Sequence, residues 1–417
     1  MPIEVPDTWE VRRLDEVAEL RLSNVDKKSI LGDPPVRLCN YMDVYRNQTI
    51  TSDVEFMPAT ATKAQIGKFR LQAGDVMITK DSEDPSDIAV PSVVVEDLDP
   101  PVLCGYHLAL LRPRATAEGP YLAWALRSHA VNTQFTRRAN GTTRFGLTSS
   151  VIGSTAIPLP PLPEQKKIAA ILSSVDDAIA ATQKVIEQTE QVKTGLLQTL
   201  MTRGIGHTRF KTTEIGEIPE GWEVSKVGTE FKTQLGKMLS KAARSGPNQV
   251  PYLANAQVQW DRVVLVDLST MHFTSAELAK FSLEPGDLLV CEGGEIGRTA
   301  IWEGADFTVS YQKAIHRLRS RGRILPRFLL RYMRLAREDG RLTEYTSRTS
   351  IAHLTQEQLR RVRVPVPPID EQHAITSQFE GVDAVLRRNG TTLPHLQTLK
   401  RGLLQDLLTG RVRVTPD

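Results

Sequence analysis

Bond-making chemistry needs particular residue types at particular spacings, and this chain offers only near-misses. Asp33-Pro34-Pro35-Val36 has the outline of the Asp/Asn-Pro-Pro-aromatic motif of amino-methylating DNA enzymes. That motif needs its aromatic ring to stack an extruded base, and Val36 stands in its place. A turn built on two prolines is the better reading. Gly293-Gly294-Glu295-Ile296-Gly297 lacks the spacing of a dinucleotide fingerprint, and no βαβ unit follows it. No GxxxxGK[ST] loop encodes nucleotide-driven work. Glu164-Gln165-Lys166 could be half of a nuclease Glu-x-Lys motif, but no paired acid stands beside it. A first-turn helix carboxylate, favoured by the helix dipole, accounts for Glu164 and Glu371. Cys39, Cys104 and Cys291 are far apart and the eight histidines are scattered, so no metal site and no disulfide framework is expected.

The composition sets the frame. The 417 residues, 40% hydrophobic and 24% charged, describe an ordinary globular chain with room for two or three domains. A net charge of +3 permits nucleic-acid binding without arguing for it. The opening Met1-Pro2-Ile3-Glu4 does not resemble a signal peptide, and no apolar run approaches membrane-spanning length. A cytoplasmic protein with reduced thiols is expected.

The chain is written twice. Val5-Pro6-Asp7-Thr8-Trp9-Glu10-Val11 is answered by Ile218-Pro219-Glu220-Gly221-Trp222-Glu223-Val224. Gly74-Asp75 is answered by Gly286-Asp287, and Pro160-Pro161-Leu162-Pro163-Glu164-Gln165 by Pro367-Pro368-Ile369-Asp370-Glu371-Gln372. Gly195-Leu196-Leu197-Gln198 is answered by Gly402-Leu403-Leu404-Gln405. The offset drifts from 213 at Trp9/Trp222 to 207 at Glu164/Glu371, then stays constant. Each half therefore has a part with variable loops followed by a part of fixed length.

The fixed part reads as a long helix. Its seam runs Ile168, Leu172, Val175, Ile179, Thr182, Ile186, Thr189, Lys193, Leu196, Leu200, and recurs 207 residues later from Ile375 to Leu407. Alternating steps of four and three are a coiled-coil signature, and the obvious partner is the other copy, antiparallel. Asn389-Gly390 and Pro394 fall within the second helix, so a break or kink is expected there, with Thr391 or Thr392 restarting it. The variable parts read as mixed α/β. Strands are expected at 75–79, 92–95, 108–112, 263–266, 287–290 and 314–318. Proline-led helices are expected at 120–129 and 326–337.

Four motifs, in one order and twice over nearly the whole chain, resemble the specificity subunits of type I restriction-modification enzymes. The resemblance implies an α+β fold with a pseudo-two-fold internal repeat. Two mixed α/β target-recognition domains, 1–158 and 210–366, would be separated by two long antiparallel coiled-coil helices, 159–209 and 367–417. It implies a non-catalytic chain that binds double-stranded DNA at a bipartite asymmetric site. Two methyltransferase (modification) subunits and the restriction/translocase subunits would be its partners. S-adenosylmethionine, ATP and Mg would belong to those partners, with no cofactor or metal here. A self-sufficient methyltransferase and a pure scaffold are the alternatives, and the missing cofactor motifs weigh against the first.

A DNA reader needs Arg and Lys for phosphates, and Arg, Lys, Asn or Gln for base edges. The first domain offers Lys63, Lys68 and Arg70; Lys80; and Arg137, Arg138, Asn140, Thr142 and Arg144. The second offers Lys237, Lys241 and Arg244; Asn255 and Gln257; Gln312 and Lys313; and Arg341, Arg348 and Thr349. The runs Arg319, Arg321, Arg323 and Arg360, Arg361, Arg363 are equally basic, but a charge run is usually a solvated face.

Overall fold

The computed structural model describes residues 3–346 and 353–415. The fold is α+β, and the chain packs as two compact units, Met1–Gln183 with Thr391–Asp417, and Lys184–Gly390.

In the first unit a five-stranded sheet has the order Ala18–Leu22, Leu108–Pro113, Val76–Thr79, Pro91–Val94, Thr49–Ile50. A three-stranded sheet runs Met57–Thr60, Pro35–Cys39, Val102–Cys104. Val76–Thr79 is buried on both faces, which explains its unbroken apolar run. The helix Gly119–Arg127 closes one side of this core with Tyr121, Leu122 and Trp124.

The second unit repeats the plan. Its four-stranded sheet runs Phe231–Leu235, Ile315–Ser320, Leu288–Cys291, Thr299–Ile301, and its three-stranded sheet Ser269–His272, Gln249–Leu253, Ser310–Tyr311. Even registers recur. Ala18 pairs with Pro113 as Phe231 pairs with Ser320, and Leu108 with Thr79 as Ile315 with Cys291. The insertions that shift the sequence offset therefore lie in loops, and the strands keep their partners.

Two helices, Leu162–Arg203 and Ile369–Leu408, carry the seam. Seam residues are buried or half-buried, while most of their neighbours on the helix are exposed. In the first unit Ile168 and Leu172 pack with Leu407 and Leu408, and Lys400 Nζ meets Asp176 at 2.6 Å. In the second, Leu197 and Leu200 pack with Ile375 and Phe379, and Lys193 Nζ meets Asp383 at 2.8 Å. Within each unit the start of one helix thus lies against the end of the other, antiparallel, and the same Lys–Asp pair recurs.

Two expectations fail in whole or in part. Of the expected break or kink, the break is absent: the second helix runs through Asn389-Gly390 and Pro394 with no restart at Thr391 or Thr392. Half-buried Leu386, Leu393 and Leu396 keep the stripe in register, and packing of that stripe outweighs local propensity. The apolar run Val263–Val266 is not a strand. Only Arg262–Val263 pairs, in a short hairpin with Val258–Gln259, and Val266 is exposed. Among the described residues no helix is long and apolar enough to cross a membrane.

Candidate nucleic-acid interface

The repeated motifs prove to be joints. Glu164, in the first turn of its helix, accepts from Trp9 Nε1 at 3.1 Å and from Arg413 Nε at 2.8 Å. Burial by itself would raise the Glu164 carboxyl, but these bonds, with those from Val414 N, hold it below the ordinary range. Glu371 likewise accepts from Trp222 Nε1 at 2.9 Å, and meets His207 Nε2 at 2.9 Å and Ile205 N at 3.0 Å. The next residue ties the helix to the recognition fold. Gln165 Oε1 accepts from Glu118 N while its amide donates to the carbonyls of Thr116 and Pro160. Gln372 repeats this with Leu325 N and the carbonyls of Arg323 and Pro367. Asp75 clamps Arg112 at 2.7 Å, and Asp287 clamps Arg319 at 2.7 Å. The Trp-Glu-Val, Gly-Asp and Glu-Gln motifs thus gather at one end of each sheet. Left-handed Gly204 ends the first helix where a Cβ would stand 2.6 Å from Trp222 Cζ2, so glycine is required.

The opposite end of each sheet carries the loops. In the first unit these follow strand Ala18–Leu22, follow Val76–Thr79 and precede Leu108–Pro113. A fourth loop is stitched onto them. Phe145 and Gly146 pair with Ser82 and Asp81, and Leu147 N donates to the Lys80 carbonyl at 2.8 Å. Asn140 and Gly146 exchange backbone hydrogen bonds, and Gly141 takes φ +146°, where a Cβ would strike the Arg144 carbonyl. The basic segment therefore projects as a tight loop beside Lys80, with Arg137, Asn140, Thr142 and Arg144 exposed.

Not every candidate reaches this rim. Arg138 is spent inside its domain, on the Gln134 carbonyl, Ser154 Oγ and Thr155 Oγ1 at 2.8–2.9 Å. Lys63, Lys68 and Arg70 lie on or just after one helix, Lys63–Phe69. It runs from the rim side, where Gln65 reaches Asn24, to the far end, where the Arg70 carbonyl receives Arg112. Lys68 and Arg70 thus lie away from the rim.

In the second unit the rim is built by the same bonds. Glu292 N donates to the Ala314 carbonyl, and Leu354 N to the Glu292 carbonyl, as Lys80 N does to His107 and Leu147 N to Lys80. Lys313 is exposed and Gln312 half-buried beside it. Asn255 Nδ2 reaches the Gly293 carbonyl at 3.1 Å, and Gln257 Oε1 caps Ala254 N at 3.1 Å. Lys241 and Arg244 are exposed on the short helix Lys241–Ser245. Lys237 turns inward, to the His272 carbonyl at 2.6 Å and Glu277 at 2.7 Å, and its bond pulls the Glu277 carboxyl down to about 2. Arg341 stands elsewhere, over Tyr332 and paired with Asp339 at 2.8 Å. Arg348 and Thr349 lie outside the described residues. Of the basic runs, Arg319, Arg323, Arg361 and Arg363 each pair with a carboxylate.

The first rim also holds residues that a search for basic clusters passes over. Tyr106 stands half-exposed with Lys80 Nζ 4.9 Å from its ring centroid. His107 Nδ1 meets Asp81 Oδ2 at 2.9 Å, and Tyr41 stacks on Tyr45 with ring centroids 5.7 Å apart. A signal existed: stepping back 207 residues from Lys313 lands on Tyr106. The two rims share backbone bonds but not side chains. Lys80, Tyr106, His107 and Tyr41 in one stand where Glu292, Lys313, Ala314 and Asn255 stand in the other.

Comparison with known proteins agrees with this geometry. Residues 6–191 and 219–393 match the family described as type I restriction modification DNA specificity domain. The putative type I restriction enzyme MjaX specificity subunit of Methanocaldococcus jannaschii is 28% identical, over 99% of this chain and 95% of its own. The EcoBI specificity subunit of Escherichia coli is 23% identical over 64% of this chain. The S subunit structure of a type I restriction-modification system from M. genitalium superposes with a TM-score of 0.58 at 15% identity, covering 98% and 97% of the two chains. Two copies of one recognition fold, each ending in a long helix and each matched separately, make this chain a member of the type I restriction-modification DNA specificity family.

Proposed function

We propose that each copy reads one half of a bipartite, asymmetric DNA site, and that the chain catalyses nothing itself. The observation that carries this is the pair of rims: one backbone scaffold presenting different side chains. Identical readers would select a palindrome, whereas these present different hydrogen-bonding groups to the major groove, whose pattern distinguishes all four base pairs. Lys80, Arg137, Asn140, Thr142 and Arg144 serve the first half-site. Lys241, Arg244, Asn255, Gln312 and Lys313 serve the second, together with Arg348 and Thr349. The long helices dock two methyltransferase subunits and fix the unread spacer, and the restriction/translocase subunits complete the assembly. S-adenosylmethionine, ATP and Mg act in those partners.

The test is transfer of labelled methyl groups from S-adenosylmethionine to DNA. The purified chain gives none, and activity emerges only when its modification subunit is added. Methyl transfer by the lone chain overturns the division of labour.

A further inference from the structure

The rim of the first unit contains a polar relay that its copy lacks. Lys80 Nζ at 3.0 Å and His107 Nδ1 at 2.9 Å converge on one oxygen, Asp81 Oδ2. The Lys80 backbone N–H donates to the His107 carbonyl at 3.1 Å, which fixes the two loops to each other. Tyr106 packs edge-on against the imidazole, with centroids 4.9 Å apart, and limits its rotation. The His107 side chain keeps 35% of its surface exposed and Asp81 24%, so both groups are reachable from solvent. In the second unit Gly293 and Ala314 occupy the positions of Asp81 and His107.

The chemistry of the pair gives the neutral ring a direction. Burial by itself would raise the Asp81 carboxyl, but the bonds from His107 and Lys80 hold it below the ordinary range. An ionised carboxylate only accepts hydrogen bonds, so Nδ1 carries the proton. In the neutral ring Nε2 is then left with a lone pair directed away from Asp81. Such an atom takes a hydrogen bond from an N–H donor. In the major groove those donors are the exocyclic amino groups of adenine and cytosine, whereas guanine and thymine present acceptors there.

We infer that His107 is a base-reading residue of the first domain, that it selects an adenine or cytosine amino group, and that Asp81 is the positioning residue that sets its tautomer. This rests on the proposed DNA-reading role of the rim and adds to it a named contact with a predicted base class. It also gives the asymmetry a concrete source, because Ala314 offers no such acceptor.

The experiment uses the full chain assembled with its modification subunits. The target is first read from methylated positions in host DNA, and the half-site of the first domain is assigned by exchanging that domain. Fluorescein-labelled duplexes carrying every single base-pair change in both half-sites are then titrated by anisotropy against wild type, His107→Ala, Asp81→Ala and Arg144→Ala. Wild type should discriminate by about tenfold or more at each read position. His107→Ala should flatten one position of the first half-site to within about twofold, leaving a pronounced preference at the others. At the flattened pair, wild type should lose affinity when the adenine is replaced by purine or the cytosine by 2-pyrimidinone, which lack the exocyclic amino group, and His107→Ala should not. Asp81→Ala should weaken the same position, and the second half-site should respond to neither change. If His107→Ala leaves every position as selective as before while Arg144→Ala weakens binding, the base-reading role is refuted and the rim stands. Wild-type binding that is indifferent to the loss of that amino group also refutes it. Silence of all three variants refutes the rim itself.

Discussion

Replacing Glu371 by alanine should loosen the second unit by removing the acceptor shared by three donors. Trp222 is fully buried, and its indole N–H has Glu371 Oε2 as its partner at 2.9 Å. A buried donor left unsatisfied costs about 1–3 kcal/mol. Ile205 N is exposed and His207 is partly exposed, so water replaces much of what they lose, and together they add about 1 kcal/mol. The total is roughly 2–4 kcal/mol, and at about 2–4 °C per kcal/mol for a unit of this size the melting temperature should fall by roughly 4–16 °C. Glu371→Gln keeps an acceptor oxygen and should recover much of that loss. Thermal and urea unfolding of Glu371→Ala, Trp222→Phe and the double variant separate the joint from simple cavity formation. Residues in one hydrogen bond should show a coupling energy of about 0.5–3 kcal/mol. Additivity within about 0.5 kcal/mol would show that the Trp–Glu bond does not hold this unit together, and that the repeated motif needs another explanation.

Other outcomes follow from the same geometry. His316 is buried with Nε2 on the Leu354 carbonyl at 2.9 Å, and burial lowers its pKa from 6.5 to about 4. The folded site refuses a proton that the unfolded chain accepts, so its stabilising contribution is whole above pH 6.5 and declines as pH falls toward 4. His316→Gln should flatten that limb of the urea-midpoint profile, and an unchanged slope would contradict the buried neutral imidazole. Arg144→Ala should lower the slope of log affinity against log salt by about one if the side chain meets a phosphate, as binding at several ionic strengths would show. Inserting four residues near Thr189 lengthens the helix by ~6 Å. Methylation mapping should then find the unread spacer longer by about one or two base pairs, and an active variant with the original spacer would reduce the helices to a docking surface.

The architecture was legible because it is repeated. Trp9, Asp75, Glu164 and Gln165 recur as Trp222, Asp287, Glu371 and Gln372 since each makes a joint that both copies of the scaffold use. The seam was legible because packing imposes a period on the sequence. The rim is harder to read for the converse reason: its side chains differ between copies and come together from loops far apart in sequence, as Lys80, His107 and Arg144 do. Charge type alone misleads there. Arg138 and Lys237 have the composition of DNA ligands, yet their donors are consumed by Ser154, Thr155 and Glu277, partners that sequence does not announce. Pro394 misled in the other direction, since the helix Ile369–Leu408 runs through it unbroken, with its two ends packed into the cores of the two units.

The central claim is that the two copies are independent readers, and exchanging one of them tests it most directly. Residues 1–157 are replaced by the first domain of another family member, and methylated positions are mapped across the host genome. One half-site should change to the donor's sequence, and the other should remain as in the parent. A change in both half-sites, or in neither of an active hybrid, would contradict the account.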